Sequence, residues 1–102
     1  MKGGKIKGLV LNPKDNVGVA LMDLESGTEL DLKVTGQAVS FKFLDPITYQ
    51  HKFSIKQIDS GSKIIKFGEV IGKATNDIKP GQHVHMHNMI GLRIGAARRK
   101  RS

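Results

Sequence analysis

The sequence predicts an all-β fold of short strands, and three observations carry that prediction. Apolar residues recur with period two rather than with the spacing of an amphipathic helix. Twelve glycines and three prolines interrupt every long window. The runs between them are rich in Val, Ile and Phe, which suit a pleated, half-buried surface. A short phrase also repeats: MDLESGTEL (22–30), KQIDSGSKI (56–64) and NDIKPGQHV (76–84) each run polar, Leu or Ile, two residues, Gly, two residues, apolar.

Taken in order, KIKGLVL (5–11) alternates and reads as a strand. In NPKDNVGVAL (12–21) the Asn-Pro and Asp-Asn pairs mark a turn that Asx side chains commonly cap. ELDLKV (29–34) and AVSFKF (38–43) alternate cleanly. In TYQHKFSI (48–55) the same alternation sends Tyr49, His51 and Phe53 one way and Gln50, Lys52 and Ser54 the other. The repeated phrase predicts tight turns in which Gly27, Gly61 and Gly81 take positive φ, with Pro80 presetting the turn before Gly81. Leu24, Ile58 and Ile78 then plug the core beneath each turn. The period is too irregular for a solenoid and predicts a compact set of hairpins and bends. In KFGEVIGKATNDI (66–78), Gly68 and Gly72 have the spacing of a helix-packing motif, but Lys66, Glu69 and Lys73 intrude. A bent, Gly-punctuated strand or loop is the better reading.

At 102 residues the chain is one domain, divided here into a short extension (1–8), a body (9–92) and a basic tail (93–102). It has no cysteine, which excludes disulfides, thiolate metal sites, a thiol nucleophile and cysteine-ligated clusters. No apolar run is long enough for a membrane span, and MKGGKIKG lacks the apolar segment of a signal peptide, so a cytoplasmic protein is expected. The net charge of +8 suggests nucleic acid until its distribution is considered. Arg93, Arg98, Arg99, Lys100 and Arg101 fall in the last ten positions, and removing those five leaves +3. The body is only mildly basic. The tail reads as a solvated, frayed terminus, with an arm for nucleic acid or an acidic partner as the alternative.

HVHMHN (83–88) carries three of the four histidines. On a strand rising ~3.3 Å per residue, His83, His85 and His87 line one side, with Val84 and Met86 toward the core. Neighbouring histidines then lie ~6.6 Å apart at Cα, close enough for two imidazoles to converge on one ion or one substrate oxygen. His87 has the weakest reach to a centre shared with His83. The bland alternative is a hydrated strand face. A metal would need a third ligand from His51, a distant carboxylate or another chain. Beside His51, a candidate proton-transfer group, Lys52 can clamp a carboxylate as a point charge. For Asp15 and Asn16, turn capping is the default. Nothing matches a phosphate loop, a nucleophile elbow or a dinucleotide fingerprint.

PKDNVGVAL (13–21), LDPITYQHKFSIKQID (44–59) and IIKFGEVIGKATNDIKPGQHVHMHN (64–88), in this order, resemble the N-terminal SAF domain of the altronate and galactarate dehydratase family. The resemblance covers about residues 9–92, and its specificity lies in DNV, HK, KFGEVIGKAT and HVHMHN standing in register. It implies a β-clip fold, as in type III antifreeze proteins and the C-terminal domain of sialic acid synthase. It further implies a separate small subunit beside a large catalytic subunit, the plan also used by sulfolactate sulfo-lyase. The chemistry implied is β-elimination from a hydroxy acid, losing water from a sugar acid or sulfite from sulfolactate, with a divalent metal such as iron(II).

Motif by motif, the resemblance carries over His51, His83 and His85 as acid/base groups, with His83 and His85 as metal ligands. It makes Lys52 the carboxylate clamp and places Asp15, Asn16, Glu69 and Asn88 around the substrate. Gln50 departs from the glycine usual before the His-Lys pair, Gly18 from the commoner Ala, and Phe67 from the frequent Tyr. Homo-oligomerisation is compatible with this reading. The competing readings are a stand-alone β-clip module that binds carbohydrate, and a basic barrel for single-stranded nucleic acid. The second would display stacking aromatics, whereas this chain has four Phe, one Tyr and no Trp.

Overall fold

The structure is a computed structural model that describes residues 7–34 and 37–91, without the side chains of 32–39. The basic tail therefore lies outside the described residues. Nine strands and no helix occur among them: β1 (Gly8–Leu9), β2 (Val17–Ala20), β3 (Glu29–Val34), β4 (Gln37–Lys42), β5 (Lys52–Ser54), β6 (Lys63–Lys66), β7 (Glu69–Ala74), β8 (His83–Val84) and β9 (Met89–Gly91). They form three small antiparallel sheets, ordered β1-β2-β5-β8, β3-β4 and β6-β7-β9. The all-β expectation holds, and among the described residues no helix is long and apolar enough to cross a membrane.

The repeated phrase folds as predicted. Gly27, Gly61 and Gly81 have φ of 88°, 89° and 88°, and Leu24, Ile58 and Ile78 are buried. Each corner closes with an N–H donated across the turn, from Thr28 to the Glu25 carbonyl, Ser62 to Asp59 and Gln82 to Lys79. Positive φ at the third residue is what a type II turn requires, and Pro80 occupies the second position that suits it.

A fourth corner was hidden in the sequence. Ile47-Thr48-Tyr49-Gln50-His51 makes the same turn, with His51 N–H donated to the Thr48 carbonyl at 2.8 Å. Gln50 sits there at φ 73°, in the position its three sisters give to glycine. The corners pair through bridges, Leu24 with Ile47 and Ile58 with Ile78, each closed by two backbone hydrogen bonds. Two aspartates brace the pairs, Asp23 accepting from Tyr49 N–H and Asp77 from Ser60 N–H, both at 2.8 Å. The alternation read through TYQHKFSI is corrected accordingly. Tyr49 and Gln50 belong to the turn, the strand starts at Lys52, and Phe53 and Ser54 are both fully buried.

Two apolar clusters fill the molecule. One gathers Ala20, Leu24, Leu30, Phe43, Ile47, Phe53 and Ile55. The other gathers Val17, Ile58, Ile64, Ala74, Ile78 and Val84. In the first, Phe53 meets Phe43 edge-on at 5.0 Å between ring centroids. Its ring also lies against β1 and β2 so closely that a Cβ on Gly8 or Gly18 would come within 2.6 or 2.8 Å of it. Those two glycines leave the room the ring occupies.

Within the segment 66–78 residues 69–74 form β7, and the first glycine makes the hairpin turn that precedes it. Phe67 (φ 53°) and Gly68 (φ 82°) are the two loop residues between β6 and β7, both left-handed as a type I′ turn demands. Gly72 has backbone and side chain against it, since an added Cβ would lie 2.5 Å from the Ile90 carbonyl oxygen. Asn at the first turn position is the usual solution; an aromatic residue there costs about 1–2 kcal/mol of local strain.

Candidate active site

His51 closes the fourth corner, and β8 pairs with β5 so that His83 lies opposite Phe53 and Val84 opposite Lys52. This register delivers the His51 and His83 side chains to each other. Their rings stack at 5.0 Å between centroids, and His51 Nδ1 lies 2.8 Å from His83 Nε2. His85 stacks on His51 at 4.6 Å, and His87 reaches within 5.4 Å of His83. All four histidines form one cluster.

The strand expected through residues 83–87 is not what brings them together. β8 ends at Val84, and residues 85–88 turn back on themselves, with Asn88 and Met89 N–H groups both donated to the His85 carbonyl. Met86, expected in the core, is 80% exposed at the tip of this turn. The physical reason is Asn88. Its buried side chain accepts from His85 N–H at 3.0 Å and donates to the His83 carbonyl at 2.8 Å, which substitutes for a continued ladder. The turn folds His87 back, so it stands nearer His83 than an extended strand permits.

Asp45, which the sequence did not single out, accepts the His83 backbone N–H at 3.0 Å and fixes the entry to β8. The pKa of His83 is lowered, chiefly by burial and then by His51, His87 and His85, with Asp45 opposing. That of His85 is lowered by desolvation, His51, Lys52 and His87. Both imidazoles are therefore neutral at neutral pH and able to accept a proton. In the His51–His83 contact one nitrogen donates and the other accepts, so a proton arriving on one ring can be passed through the other.

Lys52 lines a hollow of about 130 Å³ together with His85 and Met89. Its pKa is lowered by burial and by the charge of Lys66. Glu69 is exposed on the wall of an adjoining cleft that Lys52 also lines. Asp15 and Asn16 stand differently. Asp15 is fully buried and accepts from the N–H groups of Leu11 (3.2 Å), Asn12 (3.1 Å) and Gly68 (2.8 Å). Asn16 donates to the Lys63 carbonyl and accepts from Ile65 N–H, both at 2.8 Å, like an extra strand partner for β6. Asp15, Asn16 and Asn88 thus use their polar atoms to hold backbone. They position the hairpin tip and the histidine turn.

Imidazole nitrogens suit a borderline divalent cation. Yet His51 Nδ1 and His83 Nε2 face each other at 2.8 Å, so the proton of one occupies the lone pair of the other and the two do not jointly present lone pairs to an ion. Among the described residues no group of three or more His, Cys, Asp or Glu is disposed to hold a metal ion. As arranged, the described residues do not provide a complete metal site.

Fold and site together define a small β-clip domain that presents four clustered histidines and Lys52 along an open groove. The chain belongs to the SAF domain family of altronate/galactarate dehydratases, whose family model matches residues 6–99. It is 45% identical over 74 residues to altronate dehydratase of Escherichia coli K12, covering 72% of this chain and 14% of that protein. It is 36% identical over 78 residues to altronate dehydratase of Bacillus subtilis, covering 76% and 15%. Against the (2R)-sulfolactate sulfo-lyase subunit alpha of Chromohalobacter salexigens it is 32% identical over 84 residues, covering 79% of this chain and 89% of that one. The chain thus spans about a seventh of the altronate dehydratases and nearly all of the sulfo-lyase subunit.

Proposed function

We propose that this chain is the small subunit of a hydroxy-acid lyase, either a sugar-acid dehydratase or a sulfo-lyase, and shares its active site with a large catalytic subunit. The observation that carries the reading is the cluster of four histidines beside Lys52 on an open surface. Support comes from the near full-length match to a subunit named as part of a sulfo-lyase and the one-seventh coverage of proteins named as dehydratases. β-Elimination needs a base for the proton beside the carboxylate and an acid for the leaving group. Lys52 holds the carboxylate. His85, neutral and next to Lys52, takes the proton, and the His51–His83 pair carries a proton to the departing oxygen or sulfur group. A divalent cation such as iron(II) belongs to the same proposal. In a metal-bound form His83 and His85 would instead ligate the cation, leaving His51 as this chain's proton-transfer group; the large subunit would supply the other ligands, and the cation would stabilise the enolate.

The test is reconstitution. The purified chain alone is expected to show no turnover of altronate, galactarate or sulfolactate, and addition of a large lyase subunit from the same organism should produce it. Turnover by the chain alone, or a large subunit fully active without it, would sink the proposal.

A further inference from the structure

The groove that begins at the histidines continues past Lys52. The hollow shared by Lys52 and His85 has Lys52, Met89 and Gly91 in common with a cleft of about 490 Å³, whose far wall carries Lys66, Phe67 and Glu69. That volume is within the range of small-molecule sites. Two ammonium groups and one carboxylate line it, so the cleft is net positive, and the two lysines repel each other within it. An anion between or beside them would relieve that repulsion.

The hairpin tip supplies an independent observation. Phe67 stands at φ 53° where Asn would be unstrained. Buried Asp15 holds the tip through Gly68 N–H at 2.8 Å, and Asn12 packs so near Gly68 that an added Cβ would meet its Nδ2 at 2.8 Å. The strained residue sets its ring beneath Lys66, whose Nζ lies 5.4 Å from the ring centroid. Such a contact restrains a long side chain that would otherwise be free. Strain maintained by a buried carboxylate, at a position that aims a cation into a cleft, marks a built feature rather than an incidental turn.

We infer that Lys66, backed by Phe67, binds a second anionic group of the substrate, so that the site takes hydroxy acids charged at both ends. Lys52 holds the carboxylate next to the reacting carbon, near His85. Lys66 holds the remote carboxylate or sulfonate. The naming of the ligand as a hydroxy acid rests on the lyase reading above. A hydroxy acid with a single carboxylate leaves Lys66 without its anion and binds more weakly.

The experiment is an NMR shift titration of the isotope-labelled full chain with galactarate, which has two carboxylates, and with galactonate, which has one, at matched ionic strength. Galactarate should bind about three- to fivefold more tightly, the scale of one partly screened charge contact. Lys66→Met should weaken galactarate by about that factor and leave galactonate unchanged, while Lys66→Arg keeps most of the preference. Phe67→Asn should raise the melting temperature and still reduce the preference, a combination a purely structural role does not produce. Equal affinities in the unaltered chain, equal weakening of both acids by Lys66→Met, or no shifts with galactarate would each overturn the inference. The lyase reading fails separately. A Lys66-dependent preference in a chain that supports no reconstituted turnover removes that reading alone, and turnover without the preference removes this inference alone.

Discussion

His83 and His85 are half-buried at the surface of the groove, and neither fills the core. Replacing either with Gln should leave the melting temperature within about 2 °C of the parent, since partly exposed positions away from packing rarely change stability by more than ~0.5 kcal/mol. The reconstituted rate should nevertheless fall by ~10²-fold or more, the scale for a positioned acid/base group. Unchanged rates would reduce the cluster to a hydrated face. The lowered pKa of His83 also makes a stability statement with a definite sign. Its folded form prefers the neutral ring, so the unfolded chain binds more protons as pH drops below the ordinary histidine value of ~6.5. Stability is therefore full above that value and declines as pH falls from there through the lowered folded pKa. Urea midpoints measured from pH 7.5 down to 5 should fall in that window, and His83→Gln should flatten the slope. Gln50 makes the opposite kind of case. At φ 73° it carries about 1–2 kcal/mol of strain, and glycine would return ~0.5–1 kcal/mol of that as unfolded-chain entropy. Gln50→Gly is expected to stabilise by about 0.5–1 kcal/mol, read as a rise in the thermal midpoint.

The corners are the repeating element, and their glycines are not equivalent. A Cβ on Gly27 or Gly61 meets nothing within 4 Å, so alanine there faces only the left-handed φ. A Cβ on Gly81 would lie 2.2 Å from the Lys42 carbonyl oxygen, in rigid backbone. Gly27→Ala and Gly61→Ala should each destabilise by about 1 kcal/mol, and Gly81→Ala by about 3 kcal/mol or more. Chemical denaturation of the three variants checks the order; three equal losses would mean that only φ matters. The loop at 12–16 is the second element of consequence. Asp15 satisfies three backbone N–H groups while buried, so Asp15→Ala strands those donors and should cost about 2–4 kcal/mol. Because one of the three belongs to Gly68, the same change should loosen the tip that carries Phe67 and Lys66.

The two apolar clusters are joined across the middle of the molecule rather than stacked as separate units. Ser54 N–H donates to the Gln82 carbonyl, Gly81 N–H to Ser54, and Ile55 N–H to Asn16. β5 therefore belongs to the first cluster through Phe53, with Ile55 directly after it, and to the second through its pairing with β8. Phe53→Ala should cost about 3–5 kcal/mol, the usual loss for a fully buried aromatic ring. Unfolding should remain a single transition by both far-ultraviolet and near-ultraviolet signals. Two separated transitions would show that the clusters melt independently. The same joint supports the site, because His51 precedes β5 and His83 opens β8.

Local patterns in the chain determined the all-β class, the three glycine corners with Leu24, Ile58 and Ile78 beneath them, and the grouping of His83 and His85 as candidates, because turn chemistry and alternation depend on neighbours a few residues apart. The family resemblance rested on motifs in register, and the β-clip arrangement agrees with it. The fourth corner was illegible because Gln50 stands where glycine would have announced it, and only the partner corner at Leu24 compels that conformation. The strand expected through His87 failed because Asn88, by bonding backward to His83 and His85, offers the backbone a turn in place of a ladder. The histidine cluster itself was decided by pairing, since the contact between His51 and His83 spans 32 residues and exists only in the β5–β8 register. The cleft between Lys52 and Lys66 likewise joins β5 to the β6–β7 hairpin, and a side chain's neighbours across strands are set by tertiary packing that no local spacing encodes.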